Sequence, residues 1–179
     1  MKISRTLLAF SLLSSISLSV SANEISNHSV AVNKASCDKL VNTTESFILV
    51  LNSGDDLIES INQCAKAAKI KGGIVSGLGQ LHNPTLAYFS SDPKAKPKLS
   101  QFKGYYELAS LNGNITNNNG NYFTHLHAVL ADKKFHGLAG HVDNAKIGLT
   151  AEISIRPVSS TLKRTVDANT GFGPLDVTD

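Results

Sequence analysis

The sequence has few of the features that assign a function at once. After residue 20 it contains no apolar run long enough for a transmembrane helix. It shows no internal repeat, and Ser76 lies in Gly-Ile-Val-Ser-Gly without a complete Gly-x-Ser-x-Gly nucleophile elbow. These absences disfavour a membrane-spanning mature protein, a repeat scaffold and a serine hydrolase.

Residues 1–22 have the pattern of a cleavable signal peptide. Lys2 and Arg5 precede an apolar, serine-rich stretch at 7–20, which is short for a bilayer core of ~30 Å. Val-Ser-Ala at 20–22 supplies a small-x-small cleavage site before Asn23. The alternative is an uncleaved anchor. With either, we expect a periplasmic or secreted domain.

The mature chain would carry almost no net charge. Removal of Lys2 and Arg5 leaves 15 of the 17 cationic residues against 14 acidic ones, a charge of +1. The loop at 92–98 holds three lysines, but no aromatic residues alternate with them. Because a nucleic-acid interface needs a broad positive field, this composition disfavours nucleic-acid binding.

Cysteine is scarce, with Cys37 and Cys64 only. In an oxidising compartment a disulfide between them would persist and would tie the segment before the domain to its first helix. Alternatively both are free, and Cys64 is a small core residue. The sequence leaves the two alternatives open, because a bridge depends on a Cα separation that sequence does not give.

The pattern of the first third predicts a leader, a strand and a helix. Residues 23–44 are polar and aperiodic and indicate a flexible leader, so the domain is expected over 45–179. A buried strand is predicted at 47–51. The helix should begin at an N-cap, Ser53 or Asp55, and apolar residues then recur at three- and four-residue spacing.

From Ile74 onward the apolar residues follow the two-residue period of strands. The clearest alternation puts five apolar residues on one face of a half-buried strand: Ile147, Leu149, Ala151, Ile153 and Ile155. One helix followed by many short strands predicts an α+β fold with a mainly antiparallel sheet.

His125 and His127 lie two residues apart on a predicted strand, so both side chains leave the same face and Leu126 leaves the other. Zn²⁺ or a similar ion accepts imidazole nitrogens at ~2.0 to 2.1 Å, and a catalytic site keeps a fourth position open. The alternative is a pair of polar positions on a solvated or subunit-facing strand.

His141 completes this site only in one kind of hairpin register. A three-residue loop at 132–134 places His141 directly opposite His125 and on the same face, whereas a two-residue turn directs it to the other face. The local sequence favours neither loop.

Several blocks, in order along residues 45–178, resemble the plants-and-prokaryotes-conserved (PPC) domain. They are Gly73-Ile-Val-Ser-Gly-Leu-Gly-Gln-Leu, Gly104-Tyr-Tyr-Glu-Leu-Ala-Ser-Leu-Asn-Gly-Asn-Ile, His125-Leu-His-Ala-Val-Leu-Ala-Asp, Gly140-His141 and Leu162-Lys-Arg-Thr-Val-Asp-Ala-Asn-Thr-Gly-Phe. The resemblance implies a homotrimer with a central antiparallel sheet. It also implies an architecture similar to that of acetolactate decarboxylase, a zinc enzyme with His-x-His and a third histidine.

The resemblance adds expectations about the site. It favours the register that brings His141 to His125 and His127, as ligands of zinc or another divalent transition metal. Glu107, in the resembling Tyr-Tyr-Glu-Leu block, is the candidate catalytic acid or base, although it would equally suit a solvated strand. Arg156 is a weaker candidate for pairing a substrate carboxylate.

The resulting hypothesis is an exported trimeric domain with a three-histidine metal site that binds or acts on a small molecule, as a lyase or hydrolase if it is an enzyme. The alternative is a metal-free oligomeric interaction module. DNA binding follows only from the AT-hook segments of plant members, and this sequence has no Arg-Gly-Arg-Pro motif.

Overall fold

The computed structural model describes residues 30–92, 94–167 and 173–176. The predicted signal peptide, 1–22, and residues 23–29 of the predicted leader lie outside this range. Within the described residues, no helix has the length and apolarity needed to cross a membrane.

The described chain forms one α-helix and seven strands, which confirms the predicted α+β fold. The helix is α1 (Leu57–Ala67). The strands are β1 (Val30–Val32), β2 (Phe47–Asn52), β3 (Gly72–Tyr88), β4 (Lys98–Gln101), β5 (Tyr105–Asn118), β6 (Asn121–Ala131) and β7 (Gly137–Pro157). A 3-10 helix, Lys34–Leu40, follows β1. Every strand pair is antiparallel except β1 with β2.

The sheet runs in the order β1-β2-β7-β6-β5-β3-β4, and β7 also pairs with β3. The pairings of β3, β5, β6 and β7 therefore form a closed ring. One side of this ring holds the hydrophobic core, to which β6 contributes Leu126, Ala128 and Leu130. On β6, Thr124 donates to Asn62 of α1, so the helix lies on the core side. The other side of the strands is the outer face.

The N-cap of α1 lies one residue after Asp55, the later of the two predicted caps. Asp56 is the N-cap, and its side chain accepts a hydrogen bond from Glu59 N at 3.0 Å. Asp55 instead accepts from the backbone N–H of Asn52 at 2.9 Å and so closes the turn before the helix. Either of two adjacent aspartates can cap a helix or close the turn before it, and the sequence pattern does not show which aspartate does which.

The predicted alternation in β7 fails at one residue. Ile147, Ala151, Ile153 and Ile155 are buried as predicted, whereas Leu149 is 70% exposed. The cause is an irregular register, because Gly79 opposes Ala151 while Leu81 opposes Ile147. Strand β7 thus fits extra residues against β3, as in a bulge, and Leu149 turns outward.

The prediction of a flexible leader is wrong for residues 30–44. Strand β1 pairs with β2, and Cys37 and Cys64 form a disulfide with a Cα–Cα distance of 5.2 Å. The backbone N–H of Asn42 also donates to Ala68 O at 2.8 Å. Tertiary contacts order this polar segment, which local composition alone does not predict.

Candidate metal centre

The hairpin of β6 and β7 sets the position of His141. His127 opposes His141 and Ala131 opposes Gly137, so the loop covers residues 132–136 and is longer than either predicted turn. Asp132 organises this loop, because its Oδ1 accepts from the backbone N–H groups of Lys134 and His136. The register puts His141 on the predicted face, but its direct partner is His127 and not His125.

The three predicted histidines converge on the outer face of the sheet. The ring centroids are 4.8 Å apart for His125 and His141, 5.3 Å for His125 and His127, and 5.5 Å for His127 and His141. One nitrogen from each ring can be chosen such that all three lie within 4.8 Å of one another. Leu126 points to the core between the two β6 histidines, as their spacing predicts.

The donor set suits a borderline transition metal. Two nitrogens that each bind one Zn²⁺ at ~2.0 to 2.1 Å lie no more than about 4.2 Å apart. The three histidine nitrogens lie within 4.8 Å of one another, so small side-chain rotations would bring them to binding distance. In the described part of the chain, Nδ1 of His141 is buried and has no hydrogen-bond partner. A buried nitrogen lone pair without a donor is costly, and a metal ion would satisfy it.

Burial keeps two of the imidazoles uncharged. The pKa of His125 falls to about 4, mainly because of burial and to a smaller extent because of the positive charges of His141, Arg164 and His127. Burial also lowers the pKa of His141, with a smaller contribution from the charge of His127. Metal ligation requires the neutral form of histidine, so these rings are ready to bind near neutral pH.

A cavity of about 640 Å³ opens beside the histidines. Its walls include Ala87, Tyr88, Phe89 and Phe123, so most of the surface around the three polar rings is apolar. The ring of Phe89 meets His141 edge-on, with centroids 5.2 Å apart. An apolar cavity with a few convergent polar groups is the usual form of a small-molecule site.

Arg164 is a cavity residue that the sequence analysis missed. Its Nη2 donates to Asn114 Oδ1 at 2.9 Å and lies 3.2 Å from Nδ1 of His125. The signal for it was its place in the C-terminal resembling block. Arg156, the predicted partner of a substrate carboxylate, is exposed on β7 opposite Ile74 and does not line the cavity.

The structure does not bring Glu107 to the histidines within one chain. Glu107 opposes Ala131, four residues along β6 from His127, which corresponds to about 13 Å. It accepts a hydrogen bond from Gln80 Nε2 at 3.0 Å and lines a separate depression with Leu78 and Leu149. Its predicted role as acid or base gains no support from this position.

Comparison with solved structures finds the same fold in several proteins. A PPC protein from Pyrococcus horikoshii is 26% identical, with a TM-score of 0.68 and coverage of 75% of this chain and 93% of that one. A candidate DNA-binding protein from Bacteroides thetaiotaomicron is also 26% identical, with a TM-score of 0.68 and coverage of 73% and 91%. A metal-containing protein from Archaeoglobus fulgidus is 21% identical, with a TM-score of 0.65 and coverage of 75% and 94%.

The comparison with curated proteins gives no match. The family model of the Plants and Prokaryotes Conserved domain, abbreviated PCC or PPC, matches residues 39–159. That match covers α1, the ring of strands and all three histidines, and the chain therefore belongs to the Plants and Prokaryotes Conserved domain family.

Proposed function

We propose that this chain is a metal-binding protein that holds a transition metal, zinc first among them, on His125, His127 and His141 and presents it to a small molecule. The convergence of the three rings beside an apolar cavity carries this proposal. The Archaeoglobus fulgidus protein with the same fold is described as metal-containing, which agrees with it.

The chemistry of the site would come from the position that three protein ligands leave open on a metal. A bound metal polarises a carbonyl oxygen or lowers the pKa of a water molecule. The residues of this chain would supply three neutral ligands, and Phe89 and Phe123 would limit the access of water from the sides. No carboxylate is among the described residues that line the cavity, so an acid or base would have to come from the ligand or from another copy of the chain.

We further propose a homotrimer. Several large apolar side chains of the outer face and its margins are exposed, among them Leu78 at 57%, Val129 at 45% and Leu149 at 70%. Leu78 and Leu149 line one depression. Large exposed apolar side chains that share a depression commonly mark a subunit interface.

We propose that the protein is exported, on the basis of residues 1–22 and of the disulfide between Cys37 and Cys64. Disulfides persist mainly in oxidising compartments. Protein recovered from the periplasm or medium of its own cells should begin at Asn23 in N-terminal sequencing, and recovery of the intact chain in the cytoplasm would contradict export.

A metal-free interaction module is the second candidate, and the exposed apolar outer face favours it. It predicts assembly without any dependence on the histidines. DNA binding has less support, because the net charge of the full chain is only +3 and the cavity walls are largely apolar.

Titration of chelator-treated protein with Zn²⁺ separates these candidates. The proposal predicts one Zn²⁺ per chain and a loss of affinity in His127→Ala of more than about 100-fold, beyond the range usual for outer-shell residues. His82→Ala is the matched control, because His82 stacks on Tyr105 at 4.5 Å and does not line the cavity. Equal zinc binding by both variants would exclude the site.

A further inference from the structure

Arg164 is held at the cavity from several directions. Asn118 makes two hydrogen bonds to the backbone of Arg164: its Oδ1 accepts from Arg164 N at 3.2 Å, and its Nδ2 donates to Arg164 O at 2.7 Å. Its Nη1 donates to Gly173 O at 2.6 Å. The guanidinium also lies over the ring of Phe123, 5.7 Å from the centroid. The charged group is therefore fixed in place before any ligand arrives.

The contact between Arg164 and His125 depends on which imidazole nitrogen carries a lone pair. A guanidinium has only donors, so Nη2 needs a lone pair on Nδ1 of His125, 3.2 Å away. A neutral imidazole has one such lone pair, and its other ring nitrogen carries the proton.

A metal ion on His125 occupies that single lone pair, whether it binds Nδ1 or Nε2. A metal on Nδ1 displaces the arginine directly. A metal on Nε2 puts the proton on Nδ1, where it would face the N–H of Arg164. Coordination and the Arg164–His125 hydrogen bond thus exclude each other.

Once this hydrogen bond is lost, Arg164 has two unused donor groups. Within the described residues its Nε is buried and has no hydrogen-bond partner, and Nη2 would lose the His125 acceptor. The Nε–H and one Nη2–H of a guanidinium lie side by side, and such a pair matches the two oxygens of a carboxylate. The described lining of the cavity contains no carboxylate that could take this place.

We propose that metal loading converts Arg164 into a carboxylate-binding fork, so that the metal and a small carboxylate with an apolar body bind this cavity cooperatively. The inference rests on the proposed metal site and specifies the ligand class of that site. Phe89, Phe123 and Tyr88 supply the apolar walls for the body of the ligand. Arg164 acts here as a binding residue that couples the two ligands.

The coupling is tested by zinc titration of the full-length mature protein with and without benzoate, a carboxylate with an aromatic body, and with benzamide as its uncharged analogue. Benzoate should tighten zinc binding on the order of tenfold, within the usual range of allosteric coupling, and benzamide should not. By reciprocity, zinc should tighten benzoate binding by the same factor.

Arg164→Gln should abolish the effect of benzoate. Its zinc affinity without benzoate should exceed that of the wild type, because no guanidinium then competes for the lone pair of His125 or repels the cation. A purely structural arginine would give weaker zinc binding instead. Arg156→Gln removes the same charge from an exposed position and should retain the full benzoate effect.

The possible outcomes are distinct. A wild type that binds no zinc overturns the proposed function and this inference with it. Zinc binding that benzoate does not change, or changes equally in Arg164→Gln, overturns the inference and leaves the metal site intact. If Arg164→Gln does not fold, Arg164→Lys keeps the charge without the fork and should still lose most of the effect, and a full benzoate effect in Arg164→Lys overturns the inference.

Discussion

His125 shows how burial at a single residue prepares a ligand. Its ring is half-buried between two other imidazoles and a guanidinium, and burial is the main reason that its pKa falls to about 4. The unfolded chain would titrate near the ordinary histidine value of 6.5. Between these two values the unfolded chain holds more protons on this residue than the native protein does.

The metal-free protein should therefore lose stability as pH falls from 6.5 toward 4, with no such loss above 6.5. Proton NMR of the histidine ring signals should give a midpoint for His125 near 4. A midpoint near 6.5 for His125 would show that its ring is open to solvent and not desolvated. His82 provides a reference signal outside the cluster.

The sequence predicts some residues of the site and not others. The spacing of His125 and His127 fixes their common face, because strand side chains alternate. It does not reveal Arg164, which enters the cavity only because the segment after β7 returns to Asn114 and Asn118. Such long-range contacts leave no local pattern.

At the scale of the strands, β5 packs closely against β6 beside His125. Gly113 opposes Leu126, and a Cβ added at Gly113 would overlap the carbonyl oxygen of His125. At Gly137, in contrast, an added Cβ meets nothing within 4 Å. Only glycine allows β5 to lie this near to β6 at the site.

Gly113→Ala should lower the free energy of unfolding by about 1–3 kcal/mol, as overpacking typically does, and should also weaken zinc binding. Gly137→Ala should stay within about 0.5 kcal/mol of the wild type. Urea denaturation of both variants checks the difference. Equal stabilities would mean that β5 moves aside without cost.

The disulfide joins the 3-10 helix to α1 across a sequence separation of 27 residues. The double variant Cys37→Ala, Cys64→Ala should lose about 2–4 kcal/mol of stability, mainly because its unfolded chain is less constrained. A reducing agent should destabilise the wild type and leave the double variant unchanged. If reduction changes neither protein, the bridge is not formed in solution.

The sequence predicts α1 and β2 well, because each has a strong period and clear end signals. It does not predict the ordered segment before β2 or the exposure of Leu149. Both depend on contacts distant in sequence. The disulfide and the pairing of β1 with β2 order the segment, and the irregular pairing of β3 with β7 exposes Leu149.

For the whole molecule, the proposed trimer would use the outer face of the sheet. Leu78→Glu places a charge in the depression shared with Leu149 and should convert the proposed trimer to monomers, as measured by light scattering. Phe135→Glu is the matched control, because Phe135 is 88% exposed in the loop of the β6–β7 hairpin. A monomeric wild type, or a trimeric Leu78→Glu variant, would contradict this interface.

The most direct test of the metal site is anomalous X-ray diffraction at the zinc edge from crystals soaked in Zn²⁺. We predict one strong peak within about 2.0 to 2.1 Å of one nitrogen each of His125, His127 and His141. Zinc peaks confined to exposed surface residues, with none among these three rings, would contradict the proposed function.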